Sequence, residues 1–233
     1  MHSVFEKAGQ LLLGKDELIG GILKTTMHMA FISSAVAFLL GAVIGLLIAN
    51  NRFPGKTPVK IVLRTLMGLP PVVVGIVLYV LFSGTGPFRS LHLIYSVPLM
   101  ILAQIVLITP IAAGMTESSV CSVVERCKPT LRGLRLSPAK RFSLLLYECK
   151  YQLLSAYLFS FARAISEVGA VQIVGGNILY KTRVMTTAIA LNYNTGDFSY
   201  AVALGIILLA VALAVNLVAG ILQFVARRGH DRV

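Results

Sequence analysis

Arg163 and Glu167 are two charged residues in an otherwise apolar stretch, separated by four positions. On a helix this spacing places both side chains on one face, where they can form an ion pair. An unpaired charge at the centre of a bilayer costs at least ~2.5–3.5 kcal/mol, so charged residues there usually face a protein interior or water. Two interpretations stay open: a structural pair that orients its helix, or a functional pair that lines a pathway, its gate or a moving contact between subunits.

A second polar group follows this stretch, at residues 181–187. Lys181 and Arg183 provide cations, while Thr186 and Thr187 provide hydroxyl donors. Together they can guide an oxyanion toward an external opening. The alternative is that the cations anchor the protein to lipid headgroups.

The sequence offers no set of residues for catalysis. Its nine acidic residues and four histidines are scattered, so we expect no enzyme activity and no catalytic residue. The three cysteines are irregularly spaced with no histidine nearby, which argues against a metal site. Residues 9–15 resemble the start of a phosphate-binding loop, but Asp16 replaces the Ser or Thr that holds magnesium. We therefore expect no ATP binding and no other cofactor in this chain.

The composition is that of an integral membrane protein. Of the 233 residues, 57% are hydrophobic and only 13% are charged, which lies outside the range of soluble globular proteins. Stretches of about 20 apolar residues match a hydrocarbon core of roughly 30 Å when they are helical. The predicted fold class is therefore all-α, a polytopic membrane protein.

Apolar stretches and turn residues together predict five transmembrane helices within a domain of residues 21–226. Residues 1–20 have apolar and polar positions at helical spacing, which predicts an amphipathic helix at the membrane interface. Residues 227–233 form the predicted cytoplasmic tail. The five predicted spans cover about residues 24–49, 61–82, 97–115, 153–178 and 200–225.

Pro70 and Pro71 lie inside the second predicted span. Two prolines remove two backbone donors and disfavour helix just before them, so we expect a broken or kinked helix. Such breaks occur at membrane depth where the backbone lines a cavity or is buried in protein. We interpret the kink as part of a pathway, and a purely structural bend is the alternative.

The first predicted span carries a small residue at every fourth position. This smooth stripe allows another helix to approach closely, either from a second subunit or from the same chain. Its members are Ser33, Ala37, Gly41, Gly45 and Ala49.

The cations give the predicted orientation. Alternating sides through five spans places fourteen cations on one face and six on the other, with Arg163 inside the membrane. The positive-inside rule then assigns the N-terminus to the outside and the C-terminus to the cytoplasm. The formal charge of +12 is explained in this way, together with attraction to anionic membrane lipids. We expect no nucleic acid partner.

Four segments closely resemble the permease subunit of tungstate-type ABC importers and, more distantly, the molybdate permeases. The similarity covers about residues 25–225, and residues 163–191 are specific to this branch. The segments are GLPPVVVG (68–75), AQIVLITP (103–110), RAISEVGAVQIVGGNI (163–178) and TRVMTTAIAL (182–191).

The resemblance implies a homodimer of five-helix subunits with the permease fold of the molybdate and methionine importers. It implies a prokaryotic plasma (inner) membrane protein docked on a cytoplasmic ABC ATPase dimer, which binds the ATP and Mg, and an external tungstate-binding protein. In this family the loop before the fourth span, here residues 117–150, supplies a short coupling helix, here about residues 125–142. The residues implied in ATPase coupling are Glu125, Pro129, Leu134, Arg135, Ser137 and Phe142.

The coupling segment departs from the family pattern. The common Glu-Ala-Ala and the following Gly are replaced by Pro129, Thr130, Leu131 and Arg135. Proline is tolerated in a first helical turn, so Pro129 is expected to shift the start of the coupling helix. Alternative functions are a permease for molybdate or another tetrahedral oxyanion, a passive channel, or a membrane scaffold.

Overall fold

The computed structural model describes residues 17–51, 53–84, 86–133 and 138–230, whose regular secondary structure is helical. The all-α prediction is confirmed for this part of the chain. In chain order the elements are α1 (Glu17–Asn50), α2 (Lys56–Met67), α3 (Pro71–Phe82), a 3-10 turn (Arg89–Leu91), α4 (Val97–Gly133), α5 (Pro138–Ile165), α6 (Gly169–Gly175), α7 (Met185–Asn194) and α8 (Phe198–His230).

Three helices, α1, α4 and α8, are long and apolar enough to cross a membrane by themselves. Two further spans meet the same criterion only if two helices separated by a short interruption are counted as one span. These are α2 with α3, and α5 with α6. The described residues therefore carry three to five candidate spans, and the predicted count of five is the upper limit.

Several helices extend beyond the predicted spans. Helix α4 continues to Gly133 and α5 begins at Pro138, so the predicted loop at 117–150 is helical wherever its backbone is described. Hydropathy marks where a helix leaves the lipid, whereas charged residues such as Lys, Arg and Glu remain good helix formers in water. Residues 1–16 of the predicted interfacial helix and residues 231–233 of the predicted tail lie outside the described residues.

The chain forms two compact units. The described residues of the first come from Met1–Ser33, Pro70–Gln104 and Ala162–Val233. In this unit α3 packs against α6 and α7 against α8. The contact between α3 and α6 is close because a Cβ atom at Gly75 would lie only 3.0 Å from the Ala170 Cα atom. An apolar core fixes α7 against α8 and the first turns of α1, and its residues are Ile19, Ile22, Met185, Ala188, Leu204 and Ile207.

The second unit comprises Ser34–Leu69 and Ile105–Phe161. Here the glycines of the α1 stripe face α4. A Cβ atom at Gly41 would lie 2.6 Å from the Ala112 Cβ atom, and one at Gly45 would lie 2.5 Å from the Ala113 carbonyl oxygen. At these two positions the stripe therefore serves packing within the chain, which was one of the two alternatives.

Candidate functional site at two interrupted helices

The first interruption separates α2 from α3 at residues 68–70. The Gly68 N–H donates to the Thr65 carbonyl at 3.1 Å and closes the last turn of α2. Pro70 is extended (φ −64°, ψ 124°), and Pro71 is the first residue of α3. A proline at this helical position leaves no donor unsatisfied, because the first N–H groups of a helix lack intrahelical partners. The predicted break is confirmed.

The second interruption, at residues 166–168, contains no proline. Helix α5 ends at Ile165 and α6 begins at Gly169, so the expectation of one unbroken helix over residues 153–178 is wrong. Arg163 lies in the last turn of α5, whereas Glu167 follows the end of that helix. The two residues therefore do not share a helix face, although their charges do meet.

Glu167 is the centre of the second interruption, and its side chain is only 3% exposed. Its Oε2 atom lies 2.9 Å from Nη1 of Arg163, and its Oε1 atom accepts the Ala170 N–H at 3.2 Å. The carboxylate thus pairs a buried charge and also caps the first turn of α6. Both contacts offset the cost of removing this charge from water.

The main chain at this interruption is also held by side chains from distant segments. Thr186 on α7 donates its hydroxyl to the Glu167 carbonyl at 2.9 Å. Gln104 on α4 donates from Nε2 to the Ala164 carbonyl at 2.8 Å. Non-helical backbone within a membrane span needs such partners, because lipid supplies no hydrogen bonds. The contacts of Gln104 and Thr186 join segments far apart in sequence, which explains why sequence reasoning missed the interruption.

The loop after α6 is tightly built. Gly176 has φ of 68° and ends α6, a left-handed conformation that glycine commonly adopts after the last turn of a helix. The Thr182 hydroxyl donates to the Gly175 carbonyl at 2.6 Å and accepts the Ile178 N–H at 2.9 Å. A Cβ atom at Gly176 would also lie 2.6 Å from the Tyr95 ring. Both backbone geometry and space therefore require glycine here.

Tyr95 supports this loop from the other side. Its N–H donates to the Val174 carbonyl at 2.9 Å, which satisfies an acceptor near the end of α6. Its hydroxyl donates to the Tyr79 hydroxyl at 3.4 Å. Because Tyr95 donates this hydrogen bond, the bond raises the pKa of its hydroxyl above the ordinary value.

The residues predicted for an external anion opening do not present one open set of donors. Lys181 is exposed, whereas Arg183 is half-buried and donates to the side chain and carbonyl of Asn177 at 3.2 and 3.3 Å. The hydroxyls of Thr186 and Thr187 are buried. The Thr187 hydroxyl accepts the Val184 N–H at 3.1 Å. The two threonines thus stabilise the main chain, because their short hydroxyls meet backbone groups before they reach the surface.

A groove of about 570 Å³ lies beside the second interruption. Val168 and Thr186 line it together with apolar residues of α7 and α8, such as Ile189 and Leu209. Within the described part of the chain, no three His, Cys, Asp or Glu residues are placed to hold a metal ion. The site therefore combines a buried ion pair, a capped interruption and an apolar groove.

The family described as "Binding-protein-dependent transport system inner membrane component" matches residues 41–228. The chain belongs to this family. It is therefore an ABC permease, a multi-pass inner-membrane subunit with a role in transport.

Three relatives match most of the permease. The "Tungstate uptake system permease protein TupB" of Campylobacter jejuni is 33% identical, and the alignment covers 92% of this chain and 90% of that protein. The protein of the same name from Peptoclostridium acidaminophilum is 36% identical over 94% of this chain and 96% of its own length. A "Probable anion ABC transporter permease protein" of Haloferax volcanii is 35% identical over 84% of this chain and 86% of its own length.

The predicted coupling residues of the permease are only partly described. Glu125 and Pro129 belong to α4 and Phe142 belongs to α5, while Leu134, Arg135 and Ser137 lie outside the described residues. Helix α4 runs through Pro129, so Pro129 does not lie in the first turn of a helix. Helix α4 is already formed before Pro129, and the proline removes one backbone donor within it.

A second buried ion pair of the permease was missed by sequence reasoning. Lys60 on α2 lies 2.5 Å from Glu117 on α4, whose side chain is 5% exposed. The Cys121 thiol donates to the same carboxylate at 3.3 Å. Glu117 is an isolated charge in the apolar part of a long helix. This isolation was the sequence signal that could have indicated a buried ion pair. The pair fixes α2 on α4 beside a cavity of about 420 Å³ that is also lined by Arg64 and Met67.

Proposed function

We propose that this permease is the membrane-spanning subunit of an ATP-driven importer that translocates tungstate. The observation that carries the proposal is the match to two tungstate uptake permeases, in which each alignment covers at least nine tenths of both chains. The permease itself contributes a pathway and not a reaction. ATP and Mg bind to a separate cytoplasmic ABC ATPase dimer, and an external binding protein delivers the oxyanion.

The proposed assembly contains two copies of the permease, each with five transmembrane helices in the arrangement of the molybdate and methionine importers. The interfacial helix covers residues 1–20, the membrane domain residues 21–226 and the tail residues 227–233. The N-terminus is outside and the C-terminus is cytoplasmic. The bias of basic residues supports this orientation. Three uninterrupted helices and two interrupted pairs provide the five spans.

The ATPase engages the segment 125–142, at the end of α4 and the start of α5. Helix α4 is continuous from Val97 to Gly133, so a displacement of this segment reaches the part of α4 that carries Gln104. Nucleotide binding thus biases an equilibrium between inward-open and outward-open forms. The sites for nucleotide and oxyanion must then influence each other reciprocally.

The gate of this proposal consists of the two interruptions, with Pro70 and Pro71 at the first and Arg163 and Glu167 at the second. Helices α3 and α6 follow these interruptions and pack on each other, with Gly169 close enough that a Cβ atom would lie 3.1 Å from a Val72 methyl carbon. Closely packed helices transmit strain to each other. A change at either interruption therefore moves both.

At the external opening, the exposed Lys181 and the Arg183 guanidinium attract the incoming oxyanion. Arg183 is held by Asn177, so its position is fixed before the anion arrives. Thr186 and Thr187 hold the backbone behind these cations. Their hydroxyls keep the opening in place and do not bind the ion directly.

Reconstitution tests the proposal. The permease is placed in proteoliposomes with the ATPase and binding protein that we expect to be encoded beside it, and ATP hydrolysis and uptake are measured. We expect tungstate-loaded binding protein to stimulate both. Equal uptake of molybdate would broaden the substrate to tetrahedral oxyanions. Uptake without ATP would indicate a passive channel, and an ATPase that ignores the binding protein would favour a scaffold.

A further inference from the structure

Gln104 is a fully buried amide on α4 that bonds to two other segments. Its Nε2 atom donates to the Ala164 carbonyl at 2.8 Å, and its Oε1 atom accepts the Ser33 hydroxyl at 2.6 Å. Both Gln104 and Ser33 are 0% exposed. One side chain thus joins α1 and α4 to the end of α5.

The Ala164 carbonyl needs this donor because of where α5 ends. In a continuous helix the carbonyl would accept the N–H of residue 168, four positions later. Here residues 166–168 form the interruption, and the nearby Glu167 N–H reaches the carbonyl only at 3.4 Å. The Gln104 amide supplies the short hydrogen bond that the helix has lost.

The chemistry of the groups fixes the orientation of the amide. A carbonyl oxygen can only accept, so the NH₂ group of Gln104 must face Ala164 and its oxygen must face Ser33. The Ser33 hydroxyl can donate its proton to Gln104 at 2.6 Å or to the Ala30 carbonyl at 3.3 Å. The shorter bond directs the proton to Gln104, and Ser33 thereby holds the amide in the orientation that Ala164 requires.

We propose that Gln104, oriented by Ser33, is a positioning residue that determines where the second interruption lies. Ala164 is adjacent to Arg163 and three residues before Glu167, so the carbonyl that Gln104 holds belongs to the chain segment that connects the two residues of the ion pair. Displacing this carbonyl displaces the pair. The inference rests on the proposed function, in which this interruption belongs to the gate.

The test uses a reporter cysteine at Ser166, which is an exposed residue of the interruption. In the full complex, the native Cys121, Cys127 and Cys149 are replaced by alanine and Ser166→Cys is introduced. The labelling rate with a membrane-impermeant maleimide is then measured without nucleotide and after trapping with ATP and vanadate. We expect the two rates of this parent protein to differ by about fivefold or more, a typical coupling between sites.

In this background Gln104→Leu removes the donor to Ala164, and we expect the ratio of the two rates to fall toward one. Ser33→Ala keeps the glutamine but removes the group that orients it, so we expect a smaller fall in a protein that still assembles. Gln152→Leu is the matched control, since the buried Oε1 atom of Gln152 has no hydrogen-bond partner among the described residues. It should retain the parent ratio.

The inference would be supported if the ratio of labelling rates falls toward one in Gln104→Leu or Ser33→Ala and stays at the parent value in Gln152→Leu. If both variants keep the parent ratio, even at a lower yield of complex, Gln104 has only a general structural role and the inference is overturned. A parent ratio of one would overturn the proposed gate together with this inference. Uptake and ATPase assays of the same parent protein distinguish a failure of this inference from a failure of the proposed function.

Discussion

The two interrupted helices of this permease are stabilised in different ways. At the first, Pro70 and Pro71 end one helix and begin the next, and the nearby backbone groups find partners within a few residues. At the second, Glu167 caps α6 and pairs with Arg163, and Gln104 and Thr186 from distant segments bind the main chain. The first break is local, whereas the second depends on tertiary structure.

This difference predicts different responses to substitution. A break determined by proline backbone geometry should change little when neighbouring side chains change. A break held by buried polar side chains should fail when one partner is lost, because the other partners then stay buried without hydrogen bonds. We therefore expect the second interruption to be the more sensitive of the two.

The largest effect is expected for Glu167→Lys. The change brings a second cation to Arg163 at an almost fully buried position and removes the cap of α6. Breaking a buried ion pair costs about 3–5 kcal/mol, so we expect little assembled complex and no uptake. The yield of detergent-purified complex and uptake in proteoliposomes measure this.

The matched control is Glu148→Lys, the same change at an exposed residue of α5. It should assemble and transport normally. Normal assembly and transport by Glu167→Lys would show that the Arg163–Glu167 pair neither holds the interruption nor lines the gate.

Lys60→Ala should have the next largest effect, because it leaves the Glu117 carboxylate buried. Solvent screens part of the interaction, since Lys60 is 31% exposed, and we expect a loss of about 1–3 kcal/mol in stability. The midpoint of thermal unfolding of the purified complex would report this loss. The exchange Lys60→Glu with Glu117→Lys should restore part of it, and no recovery would argue against a direct ion pair.

Gly75→Ala tests whether α3 and α6, the two helices that follow the interruptions, are closely packed on each other. The added methyl group would lie 3.0 Å from the Ala170 Cα atom, and overpacking of this kind costs about 1–3 kcal/mol. Gly205→Ala is the control, since a Cβ atom there meets nothing within 4 Å. Equal thermal stability of the two variants would contradict the close contact of α3 with α6.

The smallest effect on stability is expected for the double change Pro70→Ala and Pro71→Ala. Alanine fits both backbone conformations, so the change acts mainly through the unfolded chain and costs no more than about 1 kcal/mol. Thermal unfolding would measure it. A loss comparable with that of Glu167→Lys would abolish the distinction between the two interruptions.

Sequence reasoning predicted the features that depend on local chemistry. The proline break at 68–71 and the apolar character of the spans follow from residue type. The second interruption, the Lys60–Glu117 pair and the buried hydroxyl of Thr187 did not follow. Each depends on which distant segments pack together, and neither hydropathy nor helical spacing contains that information.

The proposed gate is tested most directly by asking from which side its second interruption can be reached. Ser166→Cys is introduced into the otherwise cysteine-free permease, and the complex is labelled in proteoliposomes by an impermeant maleimide added outside or enclosed inside. We expect the accessible side to change between the nucleotide-free complex and the complex trapped with ATP and vanadate. Labelling from the same side at the same rate in both states would contradict it.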